Sequence, residues 1–249
     1  MVDSLGYRLK LGIVAPSTNT SVQPEMDDMR PVGVTNHFGR ALIPDNPITS
    51  DADFEQLMVD IRASMEAAVE QVITCDPHRL VMGMSSETFW DGAAGAAALE
   101  KRMREVAGGR PVTMGSDAVN DALQRYGQIR RIAVVTPYMP VADKQVQRYF
   151  EDCGYEIVAL EGLKCASPVQ IAHTSERQLR AAILKVDDPS VEAIVQVGTN
   201  LAAARVAAIA EFWLDKPVLA INTAIYWHAL RTSGIDDKVQ GFGSLLTDH

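Results

Sequence analysis

Four short strings hold most of the side chains able to do chemistry, and each follows an apolar run. Pro16-Ser17-Thr18-Asn19-Thr20 follows Leu11–Val14, and Met84-Ser85-Ser86-Glu87-Thr88 follows Leu80–Gly83. In the second half, Thr136-Pro137-Tyr138-Met139-Pro140 follows Ile132–Val135, and Gly198-Thr199-Asn200-Leu201 follows Ile194–Val197. A strand that ends in small, hydroxyl-rich residues before a helix presents free N–H groups and the positive end of a helix dipole, the usual anion site of open α/β sheets. Two such half-sites facing each other would enclose a small acid. Asn19 can donate two hydrogen bonds to a carboxylate, beside a helix-capping Ser17. Ser85 and Ser86 can donate to an oxyanion. Either is also a nucleophile if a base is turned toward it, although the Gly-x-Ser-x-Gly elbow is missing. Glu87 is either a general acid or base, or a carboxylate favoured by a helix N-terminus. Tyr138 is either a packed ring or a donor to a substrate carboxylate or enolate. Gly198, Thr199 and Asn200 can form a backbone cradle, and Gly198 lets a ligand approach the main chain closely.

These residues need a scaffold, and the remaining pattern supplies one. Strand-like runs at Leu11–Val14, Gly33–His37, Leu80–Gly83, Val112–Met114, Ile132–Val135, Glu156–Leu160, Ala193–Val197 and Pro217–Ile221 alternate with helix-period segments. The helical segments lie near Phe54–Ile73, Gly92–Val106, Asp117–Tyr126, Ala142–Asp152, Ser175–Lys185, Leu201–Phe212 and Ala224–Thr232. The alternation predicts an α/β fold of βαβ units with parallel sheets, and right-handed crossovers gather the four strings along strand C-terminal edges. The repeat of strand and turn predicts two Rossmann-like lobes related by a pseudo-twofold, with the active site in the cleft between them. The expected first lobe is 1–115 plus 218–249, made discontinuous by the return of the last strand and helix. The expected second lobe is 116–217.

Composition narrows the function. The chain has 249 residues, 47% hydrophobic and 22% charged, with a formal net charge of −9. That balance lacks the basic excess a nucleic-acid surface needs. No apolar run approaches the ~20 residues of a membrane helix, and the polar stretch Met1–Lys10 has no signal-peptide core, so a cytoplasmic protein is expected. Cys75, Cys153 and Cys165 form no disulfide framework and no zinc motif. Cys75 and Cys153 read as packing residues; Cys165 alone lies in a loop with a route to a cleft. The histidines, His173 and His228 among them, show no metal-ligand spacing, and neither a dinucleotide fingerprint nor a P-loop occurs. No cofactor and no metal are expected. Exposed apolar helix faces allow a homo-oligomer.

With these strings in view, the chain resembles the aspartate/glutamate racemase superfamily, in the branch of maleate cis–trans isomerases and arylmalonate decarboxylases, over nearly its whole length. Val14–Thr20 is similar to the branch's Val-Pro-Ser-Ser-Asn-Thr. Met84–Phe89 stands where the branch has Cys-Thr-Ser-Gly-Ser-Phe, and Gly198–Leu201 where it has Cys-Thr-Asn-Leu. Lys216-Pro217-Val218, Asn222-Thr223-Ala224 and Trp227 to Arg231 resemble Lys-Pro-Val, Ser-Asn-Gln-Ala and Trp-x-x-Leu-Arg in unbroken register. The resemblance implies that Asn19 binds a carboxylate, that Tyr138 hydrogen-bonds the substrate, and that Ser85, Ser86 and Thr199 surround a carboxylate or enediolate. It implies equally that both family cysteines are replaced, by Met84 and Gly198, and that the carboxylate-binding asparagine of the second-lobe loop is replaced near Pro168. The branch uses two cysteines for isomerisation or racemisation and one for decarboxylation.

Three functions follow as expectations. The first is a cofactor-independent enzyme acting on a small carboxylic acid or carbonyl compound through an oxyanion or enolate cradle, with Glu87 or a bound water as acid and base. The second is a hydrolase or C–C lyase using Ser85, Ser86 or an activated water. The third is an inactive relative that binds a small acid.

Overall fold

The computed structural model describes residues 3–249 and shows two sheets of four parallel strands surrounded by helices. The first sheet is built from β1 (Leu9–Pro16), β2 (Val34–Ala41), β3 (Arg79–Met82) and β4 (Val112–Thr113), in the order β2-β1-β3-β4. The second repeats that order: β5 (Arg131–Thr136), β6 (Glu156–Gly162), β7 (Ala193–Gln196) and β8 (Val218–Ala220) run β6-β5-β7-β8. The helices are α1 (Val22–Asp28), α2 (Asp51–Ile73), α3 (Gly92–Val106), α4 (Gly115–Arg125), α5 (Pro140–Asp152), α6 (Glu176–Val186), α7 (Ala204–Leu214), α8 (Ile221–Arg231) and α9 (Ser244–Asp248), with short 3-10 turns at Glu87–Phe89 and Gln170–His173.

Central strands show why the sheets form. In β1, Leu11 to Ala15 are buried, and in β5 Ile132 to Thr136 are buried; such unbroken apolar runs suit parallel strands covered on both faces. Ser50 and Asp53 close a capping box at the start of α2, and Ser175 and Gln178 do the same for α6. Pro140 sits at the first position of α5, where its missing N–H costs nothing.

Two features depart from the sequence reading. The sequence pattern marks no helix at Val22–Asp28, yet the segment is helical; Pro24 falls in its first turn, where no intrahelical donor is lost. The last strand does not return to the first sheet. Val218 to Ala220 pair with Ile194 to Gln196 of β7, so β8 completes the second sheet, with α7 as the connection between neighbouring parallel strands. The helix that follows does cross back: α8 packs against α4 and touches α1, β3 and β4. The expected 218–249 segment is therefore divided, strand in one lobe and helix against the other.

Candidate active site

The C-terminal edges of the two sheets face each other, and the four strings meet there. Each loop after a first strand bonds to the loop after the third strand of the opposite lobe. Asn19 Nδ2, beyond β1, donates to Thr199 Oγ1, beyond β7, at 3.0 Å. In the mirrored position Tyr138, beyond β5, shares a 2.7 Å hydrogen bond between its phenol and Ser85 Oγ, beyond β3. The backbone N–H of Thr199 donates to the same Ser85 Oγ at 3.1 Å, so the pairs are joined into one chain.

Local structure fixes each member. Asn19 Oδ1 accepts from the N–H groups of Ser21 and Val22, both at 3.0 Å, which caps α1 and leaves the amide nitrogen free to cross the cleft. Arg40 Nη1 donates to the Asn19 carbonyl at 2.9 Å and holds the turn from behind. Tyr138 N–H donates to Thr136 Oγ1, whose hydroxyl in turn donates to Asp143. Burial pushes the Asp143 carboxyl up to about 6. Asn200 is a second bridge between the lobes. Its Oδ1 accepts from Thr20 N–H at 2.9 Å, and its Nδ2 donates to the Pro168 carbonyl at 2.9 Å.

Between these pairs lies a cavity of about 50 Å³, bounded on the polar side by Asn19, Ser85, Ser86, Tyr138 and Thr199. One ordered water needs about 10–15 Å³ on this measure, so the space fits a small molecule of a few heavy atoms. Phe54, Leu57 and Ile61 of α2 form an apolar wall, joined by Ile43 and Ile171 from loops of the two lobes. Those loops are tied across the cleft: Ile48 N–H donates to the Ala166 carbonyl at 2.7 Å, and Val169 N–H to Asp45 Oδ1 at 2.9 Å.

The electrostatics of the cavity come from dipoles. No lysine, arginine, histidine, carboxylate or thiol is among its lining residues, and Tyr138 is its one titratable group. Burial holds that phenol far above its ordinary range, so it stays neutral and able to donate. The N–H groups of Met84, Ser85, Ser86, Gly198 and Asn200 form no hydrogen bond among the described residues. They occur at matching positions of the two third-strand loops. Unpaired donors of this kind, next to hydroxyls and with no cation, form a cradle for an anionic oxygen.

Of the residues expected from sequence, the fold brings Asn19, Met84, Ser85, Ser86, Tyr138, Gly198, Thr199 and Asn200 to one cavity. It does not bring Ser17 or Glu87 there. Ser17 Oγ is exchanged with the Ile43 backbone, donating to its carbonyl at 3.2 Å and accepting from its N–H at 3.1 Å. Glu87 is buried in the 3-10 turn and pairs with Arg62 Nε of α2 at 2.7 Å; burial raises its carboxyl and the guanidinium partly offsets that. Ser85 lacks a base: its hydroxyl partners are a phenol and an amide. Cys165 lines an open groove with His173 and Lys185 on the far side of its loop. Cys75 and Cys153 lie outside the cavity as well. Among the described residues no cluster of three or more His, Cys, Asp or Glu is placed to hold a metal ion, and no helix is long and apolar enough to cross a membrane. Phe54, Leu57 and Ile61 were not singled out from sequence. The helical period marks them as an inward stripe but does not say what they face.

Comparison with known proteins shows the family and the fold. The model of the arylmalonate decarboxylase family matches residues 11–246. A maleate isomerase of Nocardia farcinica is 25% identical over 250 residues, covering 97% of this chain and 96% of the relative. An arylmalonate decarboxylase of Bordetella bronchiseptica is 28% identical over 170 residues, 66% of this chain and 69% of the relative. Among solved structures, the Nocardia farcinica maleate cis–trans isomerase superposes with a TM-score of 0.86 at 23% identity, covering 96% of this chain and 97% of that one. A cysteine-to-serine variant of that isomerase, matching with a TM-score of 0.86 at 24% identity over 97% of this chain and 99% of that one, carries a covalently bound succinylcysteine intermediate.

Proposed function

Since the chain belongs to the arylmalonate decarboxylase family, we propose that it is a cofactor-independent enzyme of the isomerase or lyase type, acting on a small carboxylate or carbonyl compound in the cavity between its lobes. The observation that carries this reading is the joined, mirrored arrangement of Asn19 with Thr199 and Tyr138 with Ser85 around a cavity edged by unpaired N–H groups. A succinylcysteine needs a thiol at the reacting carbon, and no cysteine lines this cavity. The reaction therefore runs through an oxyanion rather than a thioether adduct.

The steps follow from the donors present. The substrate carboxylate rests on the N–H groups of the 84–86 and 198–200 loops and on Asn19 Nδ2. Loss of a second carboxyl group as carbon dioxide, or of a proton to a water held by Ser85, leaves an electron pair that delocalises onto the oxygens of the bound carboxylate as an enediolate, which those N–H groups stabilise. A proton then reaches the carbon from the Tyr138 phenol, or from a water held by Ser85, and solvent restores it. A phenol kept neutral by burial suits this role, because the carbanion it protonates is a far stronger base. Glu87 contributes by anchoring the 85–89 turn to Arg62 instead of touching substrate.

The test is turnover of a panel of small acids by the Tyr138→Phe and Ser85→Ala variants. Removing one oxyanion donor typically costs about 10²–10³ in kcat. Losses of that size in both variants, with folding unchanged, support the reading; undiminished turnover in both removes it. A second reading is favoured by the absence of any thiol, carboxylate or imidazole from the cavity lining: a protein that binds a small acid without transforming it. Saturable binding lost in Asn19→Ala, with no product from any acid, would select that reading.

A further inference from the structure

A partly buried carboxylate stands directly behind the cradle and takes no part in the chemistry above. Glu25 of α1 reaches across to the other lobe. Its Oε1 accepts from the Ala204 N–H, the first residue of α7, at 2.9 Å, and its Oε2 accepts from Asn222 Nδ2 at 2.6 Å. The same Asn222 nitrogen donates its second hydrogen to the Thr199 carbonyl at 2.9 Å. Thr199 is the residue whose hydroxyl accepts from Asn19 and whose N–H donates to Ser85. A line of direct hydrogen bonds thus runs from α1, through Asn222 of α8, to the loop that holds the anion.

We propose that Glu25 is a positioning residue for the Thr199 loop, which its ionised carboxylate holds in place through Asn222 while anchoring the N-terminus of α7. The inference rests on the reading of the cavity as an active site and says what assembles it. Both partners of Glu25 are N–H donors, so the group they require is acceptor-only. A protonated carboxyl would turn an O–H toward one of them and break the match. Asn222 has no spare orientation: turning its amide would set its oxygen against the Thr199 carbonyl.

The surroundings explain why this contact is sensitive to pH. Burial pushes the Glu25 carboxyl up to about 7; the hydrogen bonds from Asn222 and Ala204 oppose that shift without cancelling it, and the nearby Asp28 adds to it. No cation pairs with Glu25 among the described residues. Arg205 of α7 is engaged by Asp28 at 3.0 Å, and Arg40 of β2 by Gln23 and the Pro16 and Asn19 carbonyls. On α8 the side chain facing Glu25 is the neutral Asn222. Below neutrality the carboxyl is protonated and the loop loses its rear support; above it the full chain of hydrogen bonds is in place.

The experiment is an NMR titration of ¹⁵N-labelled protein through neutral pH, in wild type, Glu25→Gln and Asn222→Ala, with pH profiles of kcat and KM in parallel. In wild type, the Asn222 side-chain amide and the Thr199 backbone amide are expected to shift with a shared midpoint near 7. Glu25→Gln should abolish that midpoint. Asn222→Ala should silence Thr199 while Ala204 still responds. In kinetics, Glu25→Gln should lower kcat by roughly ten- to a hundredfold, the worth of one hydrogen bond to a charged group, with KM little changed and the acid limb gone. A Thr199 amide that ignores pH, or an acid limb kept in Glu25→Gln, overturns the proposal. The amide shifts without any turnover would uphold the positioning role while defeating the enzymatic reading, so the two failures are distinct. If Glu25→Gln does not fold, the wild-type titration and Asn222→Ala decide alone.

Discussion

At the scale of single residues, Gly198 and Met84 define what this cavity is. Gly198 has φ +122°, and a Cβ there would lie 2.5 Å from Pro137 Cδ. Any side chain at this position strains the backbone and pushes on a proline ring that cannot swing aside. Gly198→Cys is therefore expected to destabilise the fold by about 2–3 kcal/mol from backbone strain and overpacking, measured by urea denaturation. An unchanged midpoint would show that the loop relaxes freely. Met84 is fully buried, so Met84→Cys fits but leaves a void, with an expected cost of about 1–3 kcal/mol. Introducing a thiol is thus structurally tolerable at one site and strained at the other. Glu87→Gln should leave the pH dependence of turnover unchanged, because its carboxylate faces Arg62 rather than the cavity. Loss of a limb of the pH profile in that variant would return Glu87 to the chemistry.

At the scale of elements, the loops that span the cleft determine how tightly the site is held. Asn200→Ala removes the acceptor for Thr20 N–H and the donor to the Pro168 carbonyl. Its expected cost is about 1–3 kcal/mol, mostly from the buried Pro168 carbonyl left unsatisfied, since the Thr20 N–H is only partly buried. A thermal midpoint unaffected by the substitution would show that the lobes do not depend on this bridge. The alternation of strands and helices was legible in the sequence, because parallel strands buried on both faces read as continuous apolar runs, as in Ile132 to Val135. The polar wall was legible too, since Asn19, Ser85, Tyr138 and Thr199 sit in the turns that strand ends must place on one edge. What was not legible depends on partners distant in sequence. Nothing local to Val218–Ala220 says which sheet it joins, and nothing in α2 says that Phe54, Leu57 and Ile61 look into a cavity. The role of Glu25 was not legible because its partners, Ala204 and Asn222, are remote in the chain.

For the whole molecule, stability and site assembly respond to pH in opposite directions. Burial raises Glu25 from 4.5 to about 7 and Asp143 from 3.8 to about 6. Both bind protons more tightly in the folded state than in the unfolded chain. Their contribution to stability is complete below about pH 4 and is lost as pH climbs through 6 and 7, where the fold must carry buried charge. Surface carboxylates such as Asp53, Asp76 and Glu192 have lowered values and act in the opposite sense, losing their contribution only as pH falls below the usual carboxylate range. The unfolding midpoint should therefore decline between about pH 5 and 7, and Glu25→Gln should flatten part of that decline. A midpoint that rises over the same interval would contradict the assignment. The site, in contrast, requires the charged form of Glu25, a case of function maintained against stability.

The proposed chemistry stands or falls with whether the cavity between the lobes stabilises an enediolate with no cysteine. Proton NMR in D₂O, following small mono- and dicarboxylates with wild type and with Tyr138→Phe and Ser85→Ala, tests it most directly. Deuterium uptake at the carbon next to the carboxylate, or release of carbon dioxide with a deuterated product, is expected in wild type and strongly reduced in both variants. Neither exchange nor product from any acid, or equal rates in wild type and both variants, would contradict it.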